Sequence, residues 1–129
     1  MARLARSTPR PPSRQPEVRL RMRVRVADLI AIGPGKVDLL EAVAEHGSIS
    51  AAARSLDMSY RRAWLLLDEL SRALTSPAIT TAQGGERGGG ARLTPMGQAV
   101  IRHYRGAEAK ALAAGKPHLT RLLAMLRKG

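Results

Sequence analysis

The chain has no cysteine, no phenylalanine, one tryptophan and two tyrosines among 129 residues. Without cysteine there are no disulfide staples, and thiolate catalysis and thiolate metal sites are excluded. With aromatics at 2 % and hydrophobic residues at 44 %, any core is built from Leu, Val, Ile and Ala, which suits closely packed helices. No apolar run reaches the roughly 18 residues of a membrane helix or resembles a signal peptide, so the expected setting is cytoplasmic, with no membrane partner. Acid is scarce as well: 10 Asp and Glu stand against 22 Lys and Arg, a formal charge of +12. That imbalance favours a polyanionic partner, although a GC-rich genome also enriches arginine.

Catalytic sets are missing too. His46, His103 and His118 are scattered without metal-ligand spacing. Asp68 and Glu69 are neighbours, so on a helix they point in different directions. Gly84–Gly90 is glycine-rich, but no Gly-Lys-Ser/Thr follows it, so it is not a nucleotide-binding loop. The sequence predicts no enzyme and no cofactor within this chain.

What remains is an organisation around residues 47–70. Ile49, Ala52, Ala53 and Leu56 recur with helical spacing behind Ser48, a candidate cap. Asp57-Met58-Ser59 reads as a tight turn, and a helix over 59–75 follows, with Ala63, Leu66, Leu67, Leu70 and Leu74 as its buried stripe. Its first exposed turn carries Tyr60, Arg61 and Arg62. A basic, hydroxylated helix start propped on an alanine-rich partner suits the major groove of DNA.

Around this pair, residues 1–16 form a basic, proline-rich arm with Arg3, Arg6, Arg10 and Arg14 and no acid. It either follows a DNA backbone or is a solvated tail. Residues 17–28 alternate, with Val18, Leu20, Met22, Val24 and Val26 against Arg19, Arg21, Arg23 and Arg25, which predicts a half-buried strand. Its arginine face is either solvated or touches phosphate. Ile32-Gly33-Pro34-Gly35 breaks it, and a helix runs from Pro34 to His46 with Val37, Leu39, Leu40, Val43 and Ala44 inward and Gly47 as its stop. Runs 78–82 and 91–94 flank five glycines and predict a hairpin with Arg87 at the tip and Arg92 at the base, the wing of a winged helix. A helix from Pro95 to Ala114, with Met96, Ala99, Val100, His103 and Ala107 on one side, ends at Gly115-Lys116-Pro117. A second, His118–Arg127, carries Leu119, Leu122, Leu123 and Leu126. Their surplus apolar surface either packs back on the chain or joins a twofold dimer.

Gly47-Ser48-Ile49-Ser50, Ala51–Ala53 and Ser59-Tyr60-Arg61-Arg62-Ala63-Trp64, then Gly84-Gly85, Gly88–Gly90 and Leu93–Gln98, resemble the DNA-binding domain of ModE-type molybdate-responsive regulators over roughly residues 20–110. The serine-capped alanine helix alone is similar to LysR-type regulators. The resemblance implies a mainly α fold with a small β component: a dimeric winged helix-turn-helix with an N-terminal strand, a β-hairpin wing and C-terminal dimerisation helices. The domains implied are an arm at 1–16, the DNA-binding unit at 17–94 and a dimerisation segment at 95–129. The candidate DNA-binding residues are Ser48, Ser59, Tyr60, Arg61, Arg62, Gly85, Arg87, Gly88 and Arg92, with Trp64 as packing support. The partners expected are double-stranded DNA, a second copy and a separate sensor protein. ModE regulators carry C-terminal molybdate-binding domains that these 129 residues do not contain, so molybdate is expected only through a partner or an unrecognised site. Two other functions fit the composition: a winged-helix module binding an acidic protein, and a small oxyanion-binding protein.

Overall fold

The computed structural model describes residues 15–82 and 89–127. The arm up to residue 14 and the loop tip with Gly85, Arg87 and Gly88 lie outside the described residues. Eight elements follow one another: β1 (Val24–Val26), β2 (Leu29–Ile32), α1 (Pro34–His46), α2 (Ile49–Ser55), α3 (Tyr60–Ala73), β3 (Ile79–Thr81), β4 (Ala91–Leu93) and α4 (Pro95–Ala124). The architecture is mainly α with two antiparallel hairpins, β1–β2 and β3–β4, and it is a winged helix-turn-helix.

Local chemistry sets the helix ends. Ser48 Oγ accepts the Ala51 N–H at 3.1 Å, Ser59 Oγ that of Arg62 at 3.1 Å, and Thr94 Oγ1 that of Gly97 at 3.1 Å. Each satisfies a donor that the first turn of a helix leaves free. Pro34 and Pro95 open α1 and α4, where their missing N–H costs nothing. Gly47 ends α1 at φ 77°, a left-handed value that glycine adopts without a Cβ penalty.

The core is aliphatic. Val37, Leu39, Leu40 and Val43 of α1 meet Ile49, Ala52 and Ala53 of α2 and Ala63, Leu67 and Leu70 of α3, with Val100 and Tyr104 of α4 closing one side. Alanine on α2 lets the helices approach closely. Ala42, not Ala44, completes the buried face of α1, and Ala44 is exposed.

Two long-range ties fix α4. Tyr104 donates its hydroxyl proton to the Met22 carbonyl at 2.7 Å. Arg105 meets both carboxylate oxygens of Glu41 (2.7 and 3.0 Å), Asp38 at 2.7 Å and Glu108 at 2.9 Å. Burial, together with the Glu108 charge, holds the Tyr104 phenol above its usual range. The Glu41 bonds lead the causes that raise the Arg105 pKa, so the guanidinium stays cationic. At the other end of the helix, Gly97 packs against the backbone of Ala78, whose oxygen accepts the Thr94 N–H at 3.0 Å.

Three expectations are corrected. The strand predicted over 17–28 is confined to Val24–Val26, and Leu29–Ile32, read as the approach to a break, is its partner strand. Val18, Leu20, Val24 and Val26 are exposed, and Met22 is the member of the set that packs on the core. Alternation identified a β-prone segment, but a two-stranded ribbon at the edge of a small domain has little core to cover. Next, Gly115-Lys116-Pro117 does not end a helix: α4 is continuous for 30 residues with Pro117 inside it. Gly115 does not take the left-handed φ of a C-terminal stop, and runs of Ala, Leu and Lys on both sides propagate the helix across one missing N–H donor. Finally, the buried face of α4 is Gly97, Val100 and Tyr104, whereas His103 and Ala107 are exposed.

Candidate nucleic-acid interface

The turn between α2 and α3 determines where α3 points. Leu56 is the C-cap of α2, and Asp57 follows at φ 57°. The Met58 N–H bonds to the Ala53 oxygen at 3.0 Å and the Asp57 N–H to the Arg54 oxygen at 3.1 Å. This is a Schellman closure, with a left-handed residue that reverses the chain within three positions. Aspartate tolerates that region better than most side chains, which explains how the turn forms without glycine.

Ala63, Leu67 and Leu70 of α3 are buried, so the opposite face of the helix projects. Arg61 and Leu65 form its crest, with Arg72 paired to Asp68 at 2.9 Å farther along. Tyr60, 55 % exposed, and Trp64, 47 % exposed, lie on one shoulder. They line an open groove of about 660 Å³ with Ser48, Ser50, Thr81, Gly89 and Gly90 at the base of the β3–β4 hairpin. Arg62, Leu66 and Glu69 lie on the other shoulder, facing a second groove against the N-terminal hairpin. The helix is thus flanked by a hairpin on each side.

The charges are distributed unevenly. Arg19, Arg72 and Arg105 are neutralised by Glu17, Asp68 and the Asp38–Glu41–Glu108 set. Among the described residues, Arg21, Arg23, Arg61 and Arg62 form no ion pair. Arg25, Arg54, Arg92, Arg102, Arg121 and Arg127 form none either; what brings Arg21, Arg23 and Arg62 together is the groove they line beside the start of α3.

Of the sequence-predicted residues, the structure brings Tyr60, Arg61 and Arg62 together on the exposed start of α3. Ser48 and Ser59 stand at the same end, but their oxygens are engaged as helix caps. Arg92 is exposed on β4 opposite Thr80. Gly85, Arg87 and Gly88 lie outside the described residues. Trp64 is a correction: it is half exposed on the Tyr60 shoulder, one turn along from Tyr60 and off the buried stripe, instead of serving only as packing support. Its spacing from Tyr60 was the available signal.

Lys36 was missed altogether. It is 5 % exposed, donates to the Ile30 carbonyl and pairs with Glu69 at 3.2 Å, joining β2, α1 and α3 beneath Arg62. No local pattern marks such a residue. Among the described residues no group of three His, Asp or Glu side chains could hold a metal ion, and no helix is long and apolar enough to cross a membrane.

Comparison with known proteins gives the same picture. Residues 35–98 match the bacterial regulatory helix-turn-helix protein, lysR family. The chain is 45 % identical over 78 residues to the molybdenum-pterin-binding protein MopB of Rhodobacter capsulatus, covering 60 % of this chain and 29 % of that protein. It is 35 % identical over 78 residues to the molybdenum transport protein ModE of Azotobacter vinelandii, again 60 % and 29 %. With the DNA-binding transcriptional dual regulator ModE of Escherichia coli K12 it shares 38 % over 71 residues, 55 % of this chain and 27 % of that one. The chain thus spans under a third of the length of these curated relatives. In fold, it superposes on the CbnR_DBD-DNA complex protein with a TM-score of 0.53 and 24 % identity, over 68 % of this chain and 95 % of that one. The helix-turn-helix of residues 35–98 therefore matches the lysR-family pattern, and over this region the chain is similar to the ModE-type regulators.

Proposed function

We propose that the chain is a sequence-specific transcriptional regulator that binds double-stranded DNA as a twofold dimer and acts by binding, without catalysis. The observation that carries this reading is the start of α3, where unpaired Arg61 and Arg62 project with Tyr60 and Trp64 between two hairpins. At 14 residues, α3 is about 21 Å long, enough to lie along a major groove. Arg61 and Arg62 reach guanine edges or phosphates, and Tyr60 and Trp64 make apolar contacts on the wing side. Ser48 and Ser59 present capped helix starts to the backbone. Gly85, Arg87, Gly88 and Arg92 belong to the wing, with Arg87 directed to a minor groove.

Residues 95–129 join the two copies and residues 17–94 read DNA. An open apolar groove of about 310 Å³, lined by Met22, Val24, Ile32, Met96, Val100 and Tyr104, lies beside α4. Leu112 and Leu122 are exposed farther along that helix, and Leu126 just past its end. A second copy covers this surface and places two α3 helices about 34 Å apart. Molybdenum appears in the names of the relatives, and here any molybdate signal enters through a separate sensor in the cytoplasm.

In vitro selection of duplex sites by the purified chain, with and without molybdate, tests the reading. An enriched palindromic motif with half-sites one turn apart is expected, unaffected by molybdate. Recovery of no enriched motif overturns specific DNA binding. A motif that appears only with molybdate places the sensor in this chain.

A further inference from the structure

The groove on the Arg62 side of α3 has no role in the account above. It is an open cleft of about 410 Å³ between the N-terminal hairpin and α3, lined by Arg21, Arg23, Asp28, Lys36, Arg62 and Glu69 among others. Lys36 and Glu69 neutralise each other at 3.2 Å. The rest is three arginines against one aspartate, and Arg21, Arg23 and Arg62 are exposed and form no ion pair among the described residues. The hairpin is held in position. Tyr104 holds the Met22 carbonyl between the two arginines, and Lys36 holds the Ile30 carbonyl of β2. Two arginines are therefore presented from anchored backbone on the shoulder of α3 opposite the groove that Gly89 and Gly90 line.

We propose that the segment leading into the N-terminal hairpin is a second nucleic-acid-contacting arm, in which Arg21 and Arg23 bind the phosphate backbone of the duplex whose groove α3 occupies. The proposal rests on the DNA-binding reading and extends it. α3 is then straddled: the wing holds one phosphate strand and this segment the other. Arg62, at the inner edge of the same groove, connects these contacts to the reading helix. Phosphate contacts fix register and carry no sequence information, so the arm adds affinity without altering the site preferred.

The test is the salt dependence of binding to a fluorescently labelled duplex, measured by anisotropy on the full chain, for the wild type, Arg21→Ala/Arg23→Ala and Arg21→Lys/Arg23→Lys. Each lost phosphate contact removes about 0.9 from the slope of log affinity against log salt. The alanine pair is expected to flatten the slope by about 2, with the ratio of specific to non-specific affinity and the melting temperature unchanged. The lysine pair keeps both charges and is expected to keep the wild-type slope. An alanine pair with the wild-type slope overturns the proposal, and so does a lysine pair as flat as the alanine pair. Failure of the underlying reading looks different: the wild type itself then binds no duplex, or binds with no salt dependence.

Discussion

Two glycines in α4 should respond to the same substitution with opposite signs. A Cβ built on Gly97 falls 2.2 Å from the Ala78 oxygen and 3.2 Å from its carbonyl carbon; one built on Gly106 meets nothing within 4 Å. Gly97→Ala therefore requires the two backbones to separate by about 1 Å, since ordinary contact of a Cβ begins at 3.4 Å. Neither side yields easily. Ala78 is fully buried, its N–H donates to Ser71 Oγ at 3.2 Å and its oxygen accepts from Thr94 at 3.0 Å. On the helix side, Thr94 Oγ1 donates to the Pro77 oxygen at 2.7 Å while capping α4. Overpacking costs about 1–3 kcal/mol, and loosening two hydrogen bonds about 1 kcal/mol each. Alanine returns about 1 kcal/mol of helix propensity. The net is a loss of about 2–4 kcal/mol, a fall in Tm of roughly 6–15 °C for a domain of this size. Gly106→Ala has only the propensity term and is expected to stabilise by about 0.5–1 kcal/mol. Thermal unfolding followed by circular dichroism reads both variants. A Gly97→Ala protein as stable as the wild type would refute the close backbone packing that seats α4 against the wing.

Arg105→Ala leaves Asp38, Glu41 and Glu108 facing one another without their cation, and is expected to cost about 2–3 kcal/mol of unfolding free energy; urea unfolding with no change in midpoint would count against the network. The Tyr104 phenol has a folded-state pKa above its ordinary 10.0. Its stabilising contribution is thus complete below pH 10 and is lost as pH rises through the folded value. Tyr104→Phe is expected to lose about 1 kcal/mol at neutral pH with the Met22 bond, and to show a shallower decline above pH 10 than the wild type; parallel alkaline declines in the two proteins would contradict this. In the DNA reading, Arg62→Ala lowers affinity for a selected site by about 1–3 kcal/mol. Trp64, the only tryptophan, is expected to shift its emission to shorter wavelength when duplex covers it; an unchanged spectrum at saturating duplex would remove it from the interface.

Much of the fold was legible because its signals are local. Ser48, Ser59 and Thr94 are caps followed at once by helical periodicity, and Pro34, Pro95 and Gly47 punctuate the chain in their usual places. The buried stripe of α3 and the exposure of Tyr60, Arg61 and Arg62 followed from the same period. The misreadings arose where distant residues decide. Leu29–Ile32 becomes a strand because Val24–Val26 folds back on it through a two-residue turn with Ala27 at φ 53°, and nothing in that stretch resembles a glycine-bearing turn. Pro117 carries a strong local stop signal that the surrounding helix formers outweigh. Lys36 and Arg105 look like ordinary surface cations until their distant partners are placed beside them, Glu69 for Lys36 and Glu41 and Asp38 for Arg105. Gly97 stood within a family-like pattern, but the reason for glycine there is a carbonyl 19 residues upstream.

The last consequence concerns α4 as a piece of mechanics. The helix is clamped to the domain by Tyr104 and Arg105, and no described residue beyond Glu108 is buried. From there to Ala124 it runs about 24 Å as a free cantilever. In a dimer joined along that span, the separation of the two reading helices is set by the angle at the clamp. A tilt of roughly 10° there moves the far end by about 4 Å, more than the rise of one base pair. The carboxylates gripping Arg105 would then serve as a stiff joint, and substitutions at Asp38, Glu41 or Glu108, far from any DNA, would change the half-site spacing that the protein accepts.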